Sequence, residues 1–273
     1  MGISIPKLSI PYWKFVLIVI TGALIQCAGI TNLVMPAKND ANLGAQMDTQ
    51  IRANPKEYPI LNDVGSRQYL QNMVNKILQS PEIKYKGTFP YKVEIIKDDK
   101  TINAFCTPGG YIYVYTGLIK MLENDASLAG VIGHEIAHAE RRHSAQRMVQ
   151  AYGAQTVLEI ALGQNPNQTV ELAANMFTGL ALLKNSRGDE SEADEYSFKY
   201  LQSTSWYPGA ISFFFDKVKG QGGNAIEGLL STHPQPQDRL DAVNKRVKDA
   251  KIPPPTESSL SSRTYADFKK RLP

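Results

Sequence analysis

Cysteine and histidine are scarce in this sequence. Its 273 residues include two cysteines, Cys27 and Cys106, and four histidines, His134, His138, His143 and His233. Two cysteines exclude a disulfide scaffold and any cysteine-rich zinc module. Charge of one sign is also nearly absent as a surplus, with 30 Lys/Arg against 26 Asp/Glu. The excess lies in residues 241–273, where eight basic residues face four acidic ones. That reads as a solvated end, so no nucleic-acid partner is expected. Beyond residue 35 no apolar run is long enough to span a bilayer, which excludes a polytopic membrane protein. Gly220-Gln-Gly-Gly223 lacks the Gly-Lys-Ser/Thr ending of a phosphate loop, and no internal repeat is present. What remains is ordinary globular usage, 42% hydrophobic and 21% charged, enough to bury a core and to exclude wholesale disorder.

The N-terminus reads as an address. Lys7 and Lys14 precede the apolar run Phe15–Ile30, and no acid lies among the first 14 residues. A basic start followed by an apolar stretch fits a cleaved secretory signal or a retained membrane anchor, with a buried structural helix as the third reading. Leu24-Ile25-Gln26-Cys27 resembles a bacterial lipoprotein cleavage site, although Gln26 stands where a small residue is usual. In the first two readings the remainder is exported, to the periplasm or cell envelope.

Residues 36–250 read as one domain, mostly α with a small sheet. Helical spacing covers residues 40–80, broken near Pro55 and restarting near Asp63. Alternation predicts strands at Tyr91–Lys97, Thr101–Cys106 and Tyr111–Tyr115, with a turn at Pro108-Gly-Gly110. A single helix is predicted from Asn124 to Tyr152. Two more flank the loop at 163–167, the second running from Gln168 through Tyr200 with a break near Gly188. A last helix spans Pro236–Lys248. Pro253-Pro-Pro255 ends the domain, and 251–273 is expected as a basic tail.

The chemistry starts at His134-Glu-Ile-Ala-His138. Histidines four apart on a helix share a face and can reach one metal ion, and Glu135 sits beside that face, placed to hold the water. A catalytic zinc needs a third protein ligand and an open position. Candidates are His143, Glu140, Glu190, Glu192 and His233. On an ideal helix His143 points about 180° away from His134, and Glu140 is equally out of register. Ser186-Arg187-Gly-Asp-Glu190-Ser-Glu192-Ala-Asp194 offers Glu190 and Asp194 one turn apart. The first suits the metal and the second suits the outer N–H of a ligand histidine. Glu192 should face elsewhere. Arg187 and Arg239 are expected to pair with carboxylates around the site. Cys106, after the second strand, reads as a small buried residue before it reads as a ligand.

These motifs resemble those of the gluzincin metallopeptidases of the CAAX prenyl protease, HtpX and BepA type, over roughly residues 40–245. The resemblance rests on Asn103-Ala-Phe105, Pro108-Gly-Gly110, Gly117-Leu-Ile119, His134-Glu-x-x-His138, Ser186-Arg-x-x-Glu190-x-x-Ala-Asp194 and His233-Pro-x-x-x-x-Arg239. The closest likeness is to short, exported members without a transmembrane bundle or helical repeats. It implies an α+β zincin-like domain holding one zinc per chain on His134, His138 and Glu190. Glu135 would be the general base and Asp194 the outer partner. His233 would come near the metal from a loop, there to cap it or to assist catalysis. Asn103, Ala104 and Phe105 would pair with substrate backbone. The implied activity is cleavage of unfolded or misassembled envelope proteins. The competing reading from another class is a metal-bound chaperone or adaptor that holds unfolded chains, against which the intact Glu135 argues. Substrate identity and oligomeric state are not encoded in any of these motifs.

Overall fold

Helix starts along the chain are written in capping residues. Asp63 accepts hydrogen bonds from the Gly65 and Ser66 amides, and Asn124 from the Ser127 amide. Ser186 and Asp189 form a reciprocal capping box. The computed structural model describes residues 35–163, 179, 183–219, 227–233 and 236–273. The N-terminal address up to residue 34, the predicted loop at 164–167 with the first part of the helix after it, and Gly220–Gly223 lie outside the described residues. Among the described residues no helix is long and apolar enough to cross a membrane.

The elements in chain order are α1 (Ala37–Ala53), α2 (Val64–Ile77), β1 (Lys92–Ile96), β2 (Ala104–Thr107), β3 (Tyr111–Tyr115) and α3 (Thr116–Met121). Then come α4 (Asp125–Glu140), α5 (His143–Tyr152), α6 (Ala154–Ala161), α7 (Arg187–Leu201) and α8 (Ile211–Lys219). Next are α9 (Glu227–Thr232), α10 (Pro236–Asp249), α11 (Glu257–Leu260) and α12 (Ser262–Lys269). The sheet has the order β1-β3-β2, with β1 parallel and β2 antiparallel to the central β3. β2 is therefore an edge strand. It starts later than the sequence pattern suggests, because Asp98 turns the chain by accepting from the Lys100 amide and the Thr101 hydroxyl.

All five residues of β3 are buried, so both of its faces meet apolar layers. Ile112 and Val114 join the larger core with α2, α4 and α7, while Tyr111, Tyr113 and Tyr115 face the smaller core with α1, α5 and α6. Helix α4 is buried from end to end. At Gly130 a Cβ would meet the Ile211 amide nitrogen at 2.8 Å, and at Gly133 the Ser197 hydroxyl at 2.9 Å. These two glycines let α8 and α7 approach α4 backbone to backbone, and the Ser197 hydroxyl donates to the Gly130 carbonyl at 2.8 Å.

The sequence pattern predicted one helix across 124–152, and the structure breaks it. Arg142 adopts φ 61° and ψ 28°, left-handed backbone that ends α4 and restarts the chain as α5. No glycine or proline announces the break. It is held by tertiary contacts: the Arg142 guanidinium donates to Asp40 on α1 through Nε and Nη2, both at 2.7 Å, and to the Met35 carbonyl at 2.6 Å. The break expected near Gly188 falls just ahead of it, at residues 183–186, and α7 begins at Arg187. One further expectation changes. Residues 251–273 are no tail: Tyr265 and Phe268 are buried, Tyr265 donates to the Ile119 carbonyl at 2.7 Å, and Phe268 stacks on Tyr69. Tyr265 and Phe268 on α12 and Leu272 just past its end are apolar residues that the surrounding basic residues hide in composition.

The Asp40–Arg142 pair is buried on both sides, with side chains 1% and 3% exposed. Removing one partner of such a pair leaves an uncompensated charge, at a cost of about 3–5 kcal/mol. Arg142→Ala is therefore expected to lower the unfolding free energy by about that amount in urea titration. A loss below about 1 kcal/mol would show that the turn does not depend on this pair.

Candidate metal centre and active site

The contact of α4 with α7 brings the motif residues together. His134 and His138 lie on one face of α4, with their Nε2 atoms 2.9 Å apart. From α7, Glu190 places its carboxylate oxygens 3.5 Å from His134 Nε2 and 3.3 Å from His138 Nε2. His233, just past α9, brings Nδ1 to 2.9 Å from Glu190. One donor atom from each of His134, His138, Glu190 and His233 fits within 4.8 Å of the others, and all four side chains are buried. Glu135 stands beside this group, 3.8 Å from His233 Nε2. The donor chemistry fits zinc, which takes imidazole nitrogen and carboxylate oxygen in tetrahedral sites.

The outer ring nitrogens explain why the inner ones converge. His134 Nδ1 lies 2.9 Å from Asp194 Oδ1, a pure acceptor, so Nδ1 carries the proton and Nε2 turns a lone pair inward. His138 Nδ1 lies 2.8 Å from His143 Nδ1, and His143 Nε2 lies 2.9 Å from Glu192 Oε2. Glu192 accepts from His143 Nε2–H, His143 accepts from His138 Nδ1–H, and His138 is left with an inward lone pair as well. Two lone pairs 2.9 Å apart repel unless a proton or a metal ion stands between them. This arrangement is a physical argument for a metal here.

Electrostatics make the same point. Burial pulls the His134 imidazole down, but hydrogen bonds to Asp194 and Glu190 reverse this and hold it up at about 9. Burial and the neighbouring His134 push His138 well below its ordinary value. Without metal, one proton therefore serves the pair. Burial would raise Glu190 and Asp194, yet His233 and the ligand imidazoles hold Glu190 well below the usual range, and Arg239 and His134 lower Asp194. Glu135 differs: burial raises its carboxyl, and the positive groups nearby do not restore it.

Arg239 on α10 pairs with Asp194 through Nε and Nη2, both at 2.7 Å, and reaches Glu190 at 2.5 Å. Its guanidinium lies over the Phe215 ring. This answers the expectation that it pairs with carboxylates of the site. Arg187 opens α7 at an exposed position. Glu140 is far from ligand duty: it accepts from the Lys84 and Tyr85 amides and the Tyr91 hydroxyl. Cys106 lines the pocket beside Glu135 but does not join the donor group; burial and the Glu135 charge push its thiol well up. Asn103 precedes β2, and Ala104 and Phe105 begin it.

The sequence argument placed His143 facing away from the metal, and that holds for a straight helix. The left-handed Arg142 swings His143 back behind His138. It also assigned Glu192 to another face, and its partner there is His143. Both residues belong to the support of the site, and nothing in helix periodicity could have found them.

An α+β domain with two histidines on one buried helix, a glutamate facing them from the helix packed against it and a second glutamate between the histidines is a zincin-like metallopeptidase fold. Residues 66–247 match Peptidase family M48, and the chain belongs to that family. It is 27% identical over 215 residues to a putative β-barrel assembly-enhancing protease of Vibrio cholerae, covering 74% of this chain and 43% of that one. It is 34% identical over 145 residues to the mitochondrial metalloendopeptidase OMA1 of Arabidopsis thaliana, covering 53% and 29%. Metalloprotease YcaL of Escherichia coli is 28% identical over 222 residues, covering 79% and 81%. The chain spans less than half the length of the first two relatives.

Ligand and support predict different losses. Glu190→Ala should abolish zinc retention after dialysis. Glu192→Ala and His143→Ala should weaken zinc affinity by about 10–100-fold, the usual effect of losing an outer partner. Zinc content and competition with a chromophoric chelator measure both, and equal affinities in all three variants would reject the assignment.

Proposed function

We propose that this protein is a zinc-dependent endopeptidase acting on unfolded or misassembled proteins of the cell envelope. The observation that carries the reading is Glu135: a buried carboxyl with a raised pKa, next to a four-donor metal group yet outside it, and lining the pockets on both sides of that group. A pure binder has no use for a base there, so the chaperone or adaptor reading is not favoured.

His134, His138 and Glu190 would hold the zinc, with Asp194 orienting His134. Zinc supplies a Lewis acid and lowers the pKa of its water toward about 7. Glu135 takes the proton from the attacking water and delivers it to the leaving amine nitrogen; a carboxyl pushed up by burial is suited to both halves. β2 is an edge strand of the described sheet, with Asn103 just before it and Ala104 and Phe105 opening it, and along it a substrate backbone can add as a further strand. His233 supplies the fourth donor at rest, so it must leave, or give way, before a substrate carbonyl enters.

The setting is read from two sources. The N-terminal sequence has the form of an export signal or anchor, and the names of several relatives concern β-barrel assembly. We place the catalytic domain outside the cytoplasm, tethered through its N-terminus or released from it.

Glu135→Gln should keep its zinc and lose casein cleavage by about 10²–10⁴-fold. Undiminished digestion by that variant would show that another group is the base. His233→Ala should cleave faster than wild type if His233 caps the metal, and slower if it assists the reaction. In fractionation the protein should be found with the envelope, and Cys27→Ser should release it from the membrane only if Cys27 is lipidated; a wholly cytoplasmic wild type rejects the export reading.

A further inference from the structure

Two pockets meet at Glu135 and His233. The first encloses about 430 Å³ and is walled by apolar side chains such as Leu118, Ile211, Phe214 and Leu229. The second encloses about 770 Å³ and runs from β2 to α5, where it contains a cation, Arg147. Arg147 lies on α5 one turn beyond His143. Its guanidinium donates to the Leu183 carbonyl at 3.3 Å, to the Asn185 side-chain oxygen and to the Ser144 hydroxyl at 3.2 Å.

All three acceptors are neutral, and the buried Nε has none. Arg142 and Arg239, the two buried arginines around the site, each hold a carboxylate, whereas Arg147 is half-buried. Among the described residues no carboxylate pairs with Arg147. The one acid lining its pocket is Glu135, which the reaction needs as base. A half-buried guanidinium hydrogen-bonded to neutral groups alone, with Asp189, Glu190 and Glu135 acting on it only through space, keeps capacity for a further carboxylate, and its flat fork matches one. A substrate strand added along β2 points alternate side chains to opposite faces, so one of them meets this pocket next to the scissile bond.

We propose that Arg147 binds a carboxylate of the substrate polypeptide and so directs cleavage to a bond at a fixed short distance from an acidic side chain or from a free C-terminus. The inference rests on the endopeptidase reading for its reaction, but not for its binding step. A charge-assisted hydrogen bond in a partly buried pocket is worth about 10- to 100-fold in discrimination.

The test uses the zinc-loaded full chain and a panel of matched peptides. Peptides carry Glu, Gln or Lys at each position around the cleaved bond, each made with a free and an amidated C-terminus. Wild type should prefer Glu over Gln about tenfold or more at one position, or lose cleavage to that extent on amidation; the two arms separate the side chain from the C-terminus. Arg147→Gln should erase that preference, and Arg147→Lys should keep part of it, with melting temperature and zinc content recorded for each. A merely structural role would slow all peptides alike. The same panel is titrated onto Glu135→Gln by fluorescence anisotropy, so that binding is read without cleavage. Cleavage with no carboxylate preference in wild type, or a preference that survives in Arg147→Gln, overturns the proposal and leaves the peptidase standing. Carboxylate-selective binding that depends on Arg147, with no peptide cleaved, upholds it and rejects the peptidase.

Discussion

The close contact of α4 with α7 is the constraint on which the rest depends. Gly133 removes the side chain that would keep these helices apart, as Gly130 does toward α8, and Ser197 ties α7 to α4 by a hydrogen bond to the Gly130 carbonyl. One turn from that contact, His134 faces Asp194 and Glu190. A Cβ at Gly133 would press on Ser197 directly, and the carboxylates would withdraw from the imidazoles by the same displacement. The metal group is in this sense a product of interhelical distance, since no single helix contains it.

Burying so many charges is tolerable because they are paired. Glu190 and Asp194 are both held ionised, and Arg239 spans them while its flat face rests on Phe215. The proton on His134 completes the balance when no cation is bound. Removing any one of these groups leaves another stranded in a low-dielectric interior, which is why each matters beyond its own contact. Glu135 escapes the same compensation. Burial raises its carboxyl, which sets it apart from Glu190 and Asp194 beside it.

Two other connections couple the frame to the site. The Asp40–Arg142 pair links the first helix to the point where α4 ends, and the turn it stabilises aims His143 at the back of His138. Asn185 accepts from Arg147, its side-chain nitrogen comes near His233, and its amide bonds the Thr232 carbonyl. The strand–helix cleft, His233 and the cationic pocket are therefore built from the same few segments.

Local spacing in the sequence was sufficient for much of this. Histidines four apart with a glutamate between them, and carboxylates four apart after Ser186, mark the candidate donors and their outer partner because the helix period sets which residues share a face. The helix starts at Asp63 and Asn124 were equally legible, since each cap is a contact within four residues. Tertiary structure alone decided the break at Arg142, because a buried partner 102 residues away holds a backbone conformation that the local sequence does not favour. That break recruited His143 and Glu192, which helix geometry had sent elsewhere. Tertiary structure also took the C-terminal segment from a basic tail into the core, where three apolar residues outweigh the charges around them. Last, it left Arg147 facing neutral acceptors, a property of which side chains meet across the fold and not of any motif.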